Sequence, residues 1–170
     1  MNKYKLMGFL LWISLSASAQ DIITSFVNMH EKDDNLEVVL IGKKMIQTLD
    51  SLTSNNPNLK EAIKGLETIR IVSSKDRGLD REYYDSARDL LSKSKGLKEY
   101  FSISEKDKEL IVMIREVKNS VKELILLSEQ PDEFNLISIS GTINLDVLLN
   151  YSEGLHIKEL NQLKSIRHNQ

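Results

Sequence analysis

The stretch ELIVMIREVKNSVKELILLSEQPDEFNLISISGTI, Glu109 to Ile143, decides the fold. It holds three runs rich in Val, Ile and Leu: ELIVMIREV, VKELILLSE and EFNLISISGTI. Polar breaks at Lys118–Ser120 and Gln130–Asp132 separate them, the second containing Pro131. Runs of this length and composition between such breaks read as strands. A fourth run, EYFSIS, precedes them across the break Glu105–Lys108. Connections this short leave no room for the crossover that parallel pairing requires, so the four runs are expected to form an antiparallel meander. Within ELIVMIREV, Leu110, Val112 and Ile114 fall on one face, while Ile111, Met113 and Val117 fall on the other. A strand with one wet face alternates apolar with polar residues. Here both faces are apolar, so both should be covered. Helices are expected to cover one face. The other falls to a C-terminal segment with Ile157, Leu160 and Leu163 at helical spacing, or to an associating chain.

Upstream of the meander the pattern is mixed. DIITSFVNMHEK places Ile22, Phe26 and Met29 on one helical face, ending before Asp33, Asp34 and Asn35. LEVVLIG (Leu36–Gly42) reads as a strand, and KKMIQTLDSLT as a helix carrying Met45, Leu49 and Leu52. After the break at Asn55, Asn56 and Pro57, residues Leu59, Ala62, Ile63 and Leu66 make the stripe of an amphipathic helix. TIRIVSS (Thr68–Ser74) is a second strand, which the intervening helices would allow to be joined to the first by a crossover. Asp80 is placed to cap the next helix, which carries Tyr83, Ala87, Leu90 and Leu91 and stops near Gly96. Helices first and a meander after indicate an α+β fold, with helices packed on a mostly antiparallel sheet of five to six strands.

The N-terminus reads as a targeting segment. Lys3 and Lys5 precede the apolar run Leu6–Leu15, and Ala17, Ser18 and Ala19 supply the small residues a signal peptidase accepts. The run is shorter than the roughly 20 residues needed to span a bilayer. Cleavage is expected after Ala19, leaving an exported chain, periplasmic or secreted, with one domain over residues 20–154 and a tail over 155–170. No Pro/Gly/Ser linker or internal repeat divides it. The cleaved segment takes two lysines from a chain of 23 basic and 25 acidic residues, moving the formal charge from −2 to −4. Such a mildly acidic surface lacks the clustered basic face that nucleic acid requires. The chain contains no cysteine, which removes thiol catalysis, Cys-bound metals and disulfides.

Signatures of chemistry are sparse. A serine-type mechanism needs a nucleophile beside a base, and the three histidines, His30, His156 and His168, stand near no nucleophile elbow. His30, Asp33 and Asp34 could converge at a helix end, but H-E-x-x-H and the spacing of a calcium loop are both missing. A solvated helix terminus is the reading adopted. Gly42 and Lys43 sit at a strand-to-helix junction, where phosphates are cradled. Neither the upstream glycine nor the following Ser/Thr of a P-loop is present. Glycoside hydrolysis would need two carboxylates at a set separation; the scattered acids single out no pair. No catalytic, cofactor-binding or metal-ligating residue is assigned, and no cofactor is expected. The function anticipated is a non-catalytic exported module that binds a protein or envelope component or associates with itself. The alternatives are a small hydrolase using Asp, Glu and Lys, or a structural envelope protein.

The order VVLIGKKM, IRIV, VMIREV, KELILLSEQ and EFNLISISGTINLDVL resembles the family known as domain of unknown function 4252, exported proteins of Gram-negative bacteria. EFNLISISGTINL and the earlier strand-turn-Lys-x-Met are the most specific elements, and the resemblance runs over Ile22–Asn150. Many members look like lipoproteins, whereas this chain has no lipid-bearing cysteine. The resemblance implies no activity, cofactor or catalytic residue.

Overall fold

The structure, a computed structural model, describes residues 21–52, 57–74, 78–150 and Leu160. The signal-like segment and nearly all of the tail, including His156 and His168, lie outside the described residues. Strands β1 (Leu36–Gly42), β2 (Leu66–Ser74), β3 (Leu97–Glu105), β4 (Lys108–Val117), β5 (Ser120–Gln130) and β6 (Glu133–Ile143) form one sheet in the order β1-β2-β6-β5-β4-β3. Every neighbouring pair is antiparallel. The four-strand C-terminal meander anticipated from EYFSIS through EFNLISISGTI is therefore present as β3 to β6. At the β4–β5 connection Lys118 and Asn119 both take positive φ, 51° and 61°, the geometry whose twist matches that of the flanking strands.

Five helices among the described residues complete the α+β fold: α1 (Ile22–Met29), α2 (Lys43–Leu52), α3 (Pro57–Ile63), α4 (Asp80–Lys93) and α5 (Leu145–Asn150). They cover both faces of the sheet, not one. On the first face, Leu110, Val112 and Ile114 of β4 join Leu124 and Leu126 of β5 and Ile137 and Ile139 of β6. Ile46 of α2, Ile63 of α3 and Leu148 and Leu149 of α5 close over them, and Leu160 is buried in the same cluster. On the second face, Ile125, Leu127, Phe134 and Leu136 meet Ile22, Ile23 and Phe26 of α1 and Tyr83, Tyr84, Ala87 and Leu91 of α4. The two-sided apolar pattern of the meander thus follows from helices above and below it. Val117, the last residue of β4, departs from this cover and is 48% exposed.

Three local expectations need correction. β1 and β2 are antiparallel neighbours rather than crossover partners. Two helices intervene, so the chain runs out along α2 and back along α3 to the end of the sheet it left; a single helix would have delivered it to the far end. The helix expected through Leu66 ends at Ile63, because Gly65 takes φ 86° and Leu66 opens β2. Asp80 does not cap α4: its carboxylate accepts a hydrogen bond from the Ser74 hydroxyl, and Leu79 occupies the cap without a side-chain bond. Asn144, by contrast, does accept from the Val147 amide and starts α5.

α4 is tied to the sheet by charge as well as by packing. Glu109 and Glu129 stand directly opposite each other on β4 and β5, a like-charge pair that destabilises a ladder. Arg81 of α4 resolves this by placing Nη1 2.9 Å from Glu109 Oε1 and 3.1 Å from Glu129 Oε2. The guanidinium also pairs with Asp85 and lies 5.2 Å from the Tyr84 ring. The hydrogen bond from Arg81, and after it the nearby Tyr84 hydroxyl, hold the Glu109 carboxyl below its usual range. Burial, reinforced by Glu109, pushes the Tyr84 hydroxyl up. Because Arg81 is 53% exposed and water screens the bridge, Arg81→Met is expected to cost only about 1 kcal/mol at neutral pH. A depressed folded-state pKa stabilises above the unfolded carboxylate value of about 4.3 and is lost as pH falls through the lower folded value. Urea titrations of both proteins should therefore differ at pH 7, with the difference shrinking as the pH falls below about 4. A difference unchanged at the lower pH would show that the ion pairs are not its source.

Candidate functional site

The residues best able to carry chemistry are dispersed among structural tasks. His30 ends α1, where its ring packs 4.6 Å from Phe26 and edge-on at 5.3 Å from Tyr83, and its Nε2 shares a 3.1 Å hydrogen bond with Ser86 Oγ. The third group that would orient such a base is engaged elsewhere. Asp33 accepts the Tyr83 hydroxyl through Oδ2 and the Asn35 amide through Oδ1. The Tyr83 bond is the main cause, and the Asn35 amide the next, of a carboxyl held below its ordinary range. Asp34 is exposed and does not join them. Among the described residues no group of three or more His, Cys, Asp or Glu is arranged to hold a metal ion. The His30–Ser86 pair was not foreseen, since 56 residues separate the two.

Among the described residues, polar groups line two clefts. The smaller, about 70 Å³, opens on the α1 side between Asp21, Thr68, Arg70, Glu123, Ser138 and Ser140. Its charges are already matched: Arg70 pairs with Asp21, and Glu123 accepts from Arg115 Nε at 2.9 Å. The larger, about 310 Å³, lies beside the start of α2 and includes Lys43, Gln47, Asp50, Lys64 and Glu67. Lys43, one half of the candidate anion loop, faces Glu67 at 3.9 Å, which offsets the positive field a phosphate would need. Lys44 is exposed. Neither cleft gathers a nucleophile, a base and an oxyanion donor.

The sheet edges are another matter, because they differ sharply. β3 forms one edge and presents the exposed residues Lys98, Glu99, Tyr100, Ser102, Ser104 and Glu105, with a register shift between Glu99 and Phe101. Charge and a bulge are the means by which a strand edge is kept from pairing. β1 forms the other edge, without a bulge and with little charge. Its ladder with β2 is continuous from Leu36 to Gly42, and Glu37 is its single charged residue. Val38, Val39 and Leu40 are 49%, 40% and 64% exposed. Register places Val38 and Leu40 on the face of α1 and α4, opposite Val72 and Arg70, and Val39 on the face of α2, opposite Ile71. Met45, at the start of α2, adds a further exposed apolar side chain. A contiguous apolar strip beside unpaired main-chain N–H and C=O groups is the surface a monomeric protein ordinarily avoids. In the sequence LEVVLIG looks like any buried strand; only the strand order reveals it as an edge.

A family model described as a domain of unknown function (DUF4252) matches residues 29–149, from the last residue of α1 into α5. No curated protein and no solved structure matches the chain.

Proposed function

The chain belongs to the DUF4252 family, and from that premise we propose that it is an exported, non-catalytic module that works by associating with a protein through the open edge of β1. The observation carrying this reading is the apolar, unbulged and uncharged stretch Val38–Leu40 on an outer strand. Strand addition suits it: main-chain hydrogen bonds supply affinity, and alternate side chains on the two faces supply specificity. The signal-like N-terminus supports export. No described helix is long and apolar enough to cross a membrane.

The test is site-specific photo-crosslinking in the native host. A photoreactive residue in place of Leu40 should capture a protein, whereas one in place of Tyr100, on the opposite edge, should not. Equal capture from both positions, or none from either, overturns the edge reading. The mass of the protein recovered from envelope fractions should begin at Gln20; recovery with residues 1–19 attached would refute cleavage after Ala19.

A further inference from the structure

We infer that the occupant of the β1 edge is a second copy of this chain, paired antiparallel through β1 about a two-fold axis at Val39. The inference rests on the edge reading above and adds to it the identity of the partner. Three features of the strand lead there.

The first is charge at its flanks. Asp34 stands two residues before β1 and Lys44 two residues after it. A strand acidic at its start and basic at its end is complementary to itself when the second copy runs the opposite way. Antiparallel pairing sets the Asp34 end of each copy beside the Lys44 end of the other, at both ends of the interface. Parallel pairing would set like against like, which is repulsive. Asp34 and Lys44 are both exposed.

The second is side-chain register. Val39 is the midpoint of Leu36–Gly42, so a two-fold axis there overlaps all seven residues. Val38 then lies opposite Leu40 of the copy and Leu40 opposite Val38, while Val39 meets Val39 on the other face. Glu37 faces Ile41, and no acid opposes an acid. Such apolar cross-strand pairs are the stabilising units of a sheet. A two-fold interface has to be complementary to itself, and this strand meets that condition.

The third is layer continuity. An axis perpendicular to the sheet keeps α2 of both copies on one side and α1 and α4 on the other, giving a continuous sheet of twice six strands. The exposed Met45 in the first turn of α2 lies beside the new seam.

The absence of cysteine makes a direct test available, since any introduced thiol is unique. Sedimentation of the purified protein at roughly 100 μM should show a dimer, this concentration being well above the Kd of a contact that serves a function. Val39→Lys and Leu40→Lys, on opposite faces of the strand, should each weaken it by about tenfold or more, through charge on a pairing edge, while leaving urea denaturation of the monomer nearly unchanged. Lys44→Glu should weaken the dimer, and adding Asp34→Lys should restore it. Val39→Cys should oxidise to a cross-linked dimer faster than Tyr100→Cys on the far edge, because opposed Cβ atoms in a ladder lie near disulfide range.

A monomer at that concentration overturns self-pairing, as does a dimer that survives both lysine variants, or equal oxidation at the two cysteine positions. The outcomes separate the two readings. A monomeric protein whose photoreactive Leu40 position captures a different protein leaves the edge as a binding surface and removes the second copy. Capture within one chain removes both.

Discussion

Gly141→Ala is expected to cost roughly 3–5 kcal/mol, combining positive-φ strain with overpacking, and to lower the melting temperature by about 10 °C. Gly141 holds φ 136°, and a Cβ placed there would lie 2.3 Å from the Gly65 carbonyl oxygen, 2.8 Å from the Glu67 amide nitrogen and 2.9 Å from Leu66 Cα. All three are backbone atoms, so no side chain can swing aside. The close approach exists because β6 passes across the turn between α3 and β2, where the Thr142 amide donates to the Gly65 carbonyl at 2.7 Å. Thermal and urea unfolding of the variant would test this. A change of less than about 1 kcal/mol, the range of an ordinary surface substitution, would show that the turn yields freely.

Phe134→Ala should be comparably damaging, at about 3–5 kcal/mol for a buried aromatic reduced to a methyl group. Phe134 is fully buried, stacks on Phe26 at 5.5 Å between ring centroids and meets Tyr83 at 5.6 Å. These three rings join a strand, the first helix and the fourth. Removing one leaves a cavity that two rigid neighbours cannot collapse to fill. Loss of packing should also release α1, so backbone amides of Ile22–Met29 should exchange faster with solvent. Tyr100→Ala, at a half-exposed edge position, is the control and should stay within about 0.5 kcal/mol. Equal effects at the two positions would contradict the assigned core.

What the sequence disclosed followed from local chemistry. β1, α2 and the meander emerged from Val and Ile content, helical spacing and short polar breaks, all of which act within a few residues. The stripe Leu59–Leu66 misled because Leu66 is apolar in either state; Gly65 in its left-handed conformation decides the matter. Asp80 has the residue type and place of a cap, but Ser74 of β2 claims its carboxylate. Two-sided burial of β4 was legible, but which helices supply each cover was not, since that depends on how α2 and α3 fold back. The candidate site was hidden for the same reason. Nothing in LEVVLIG distinguishes an outer strand from an inner one, although the acidic residues before it and the lysines after it were in view. The opposed Glu109 and Glu129, with Arg81 between them, needed both register and an arginine 28 residues before Glu109.

The position of β6 bears on the order in which the molecule can assemble. Of the described strands it is the last to be synthesised, yet it sits mid-sheet, holding β2 on one side and β5 on the other. Until its residues arrive, the N-terminal strand pair and the growing meander are two unfinished pieces with bare seams. A chain delivered N-terminus first, from a ribosome or through a narrow channel, leaves the sheet incomplete until Ile143 has passed. Its first half is then exposed to chaperones and proteases for that whole interval, and a premature stop anywhere before Glu133 should yield fragments that are cleared rather than a smaller working protein.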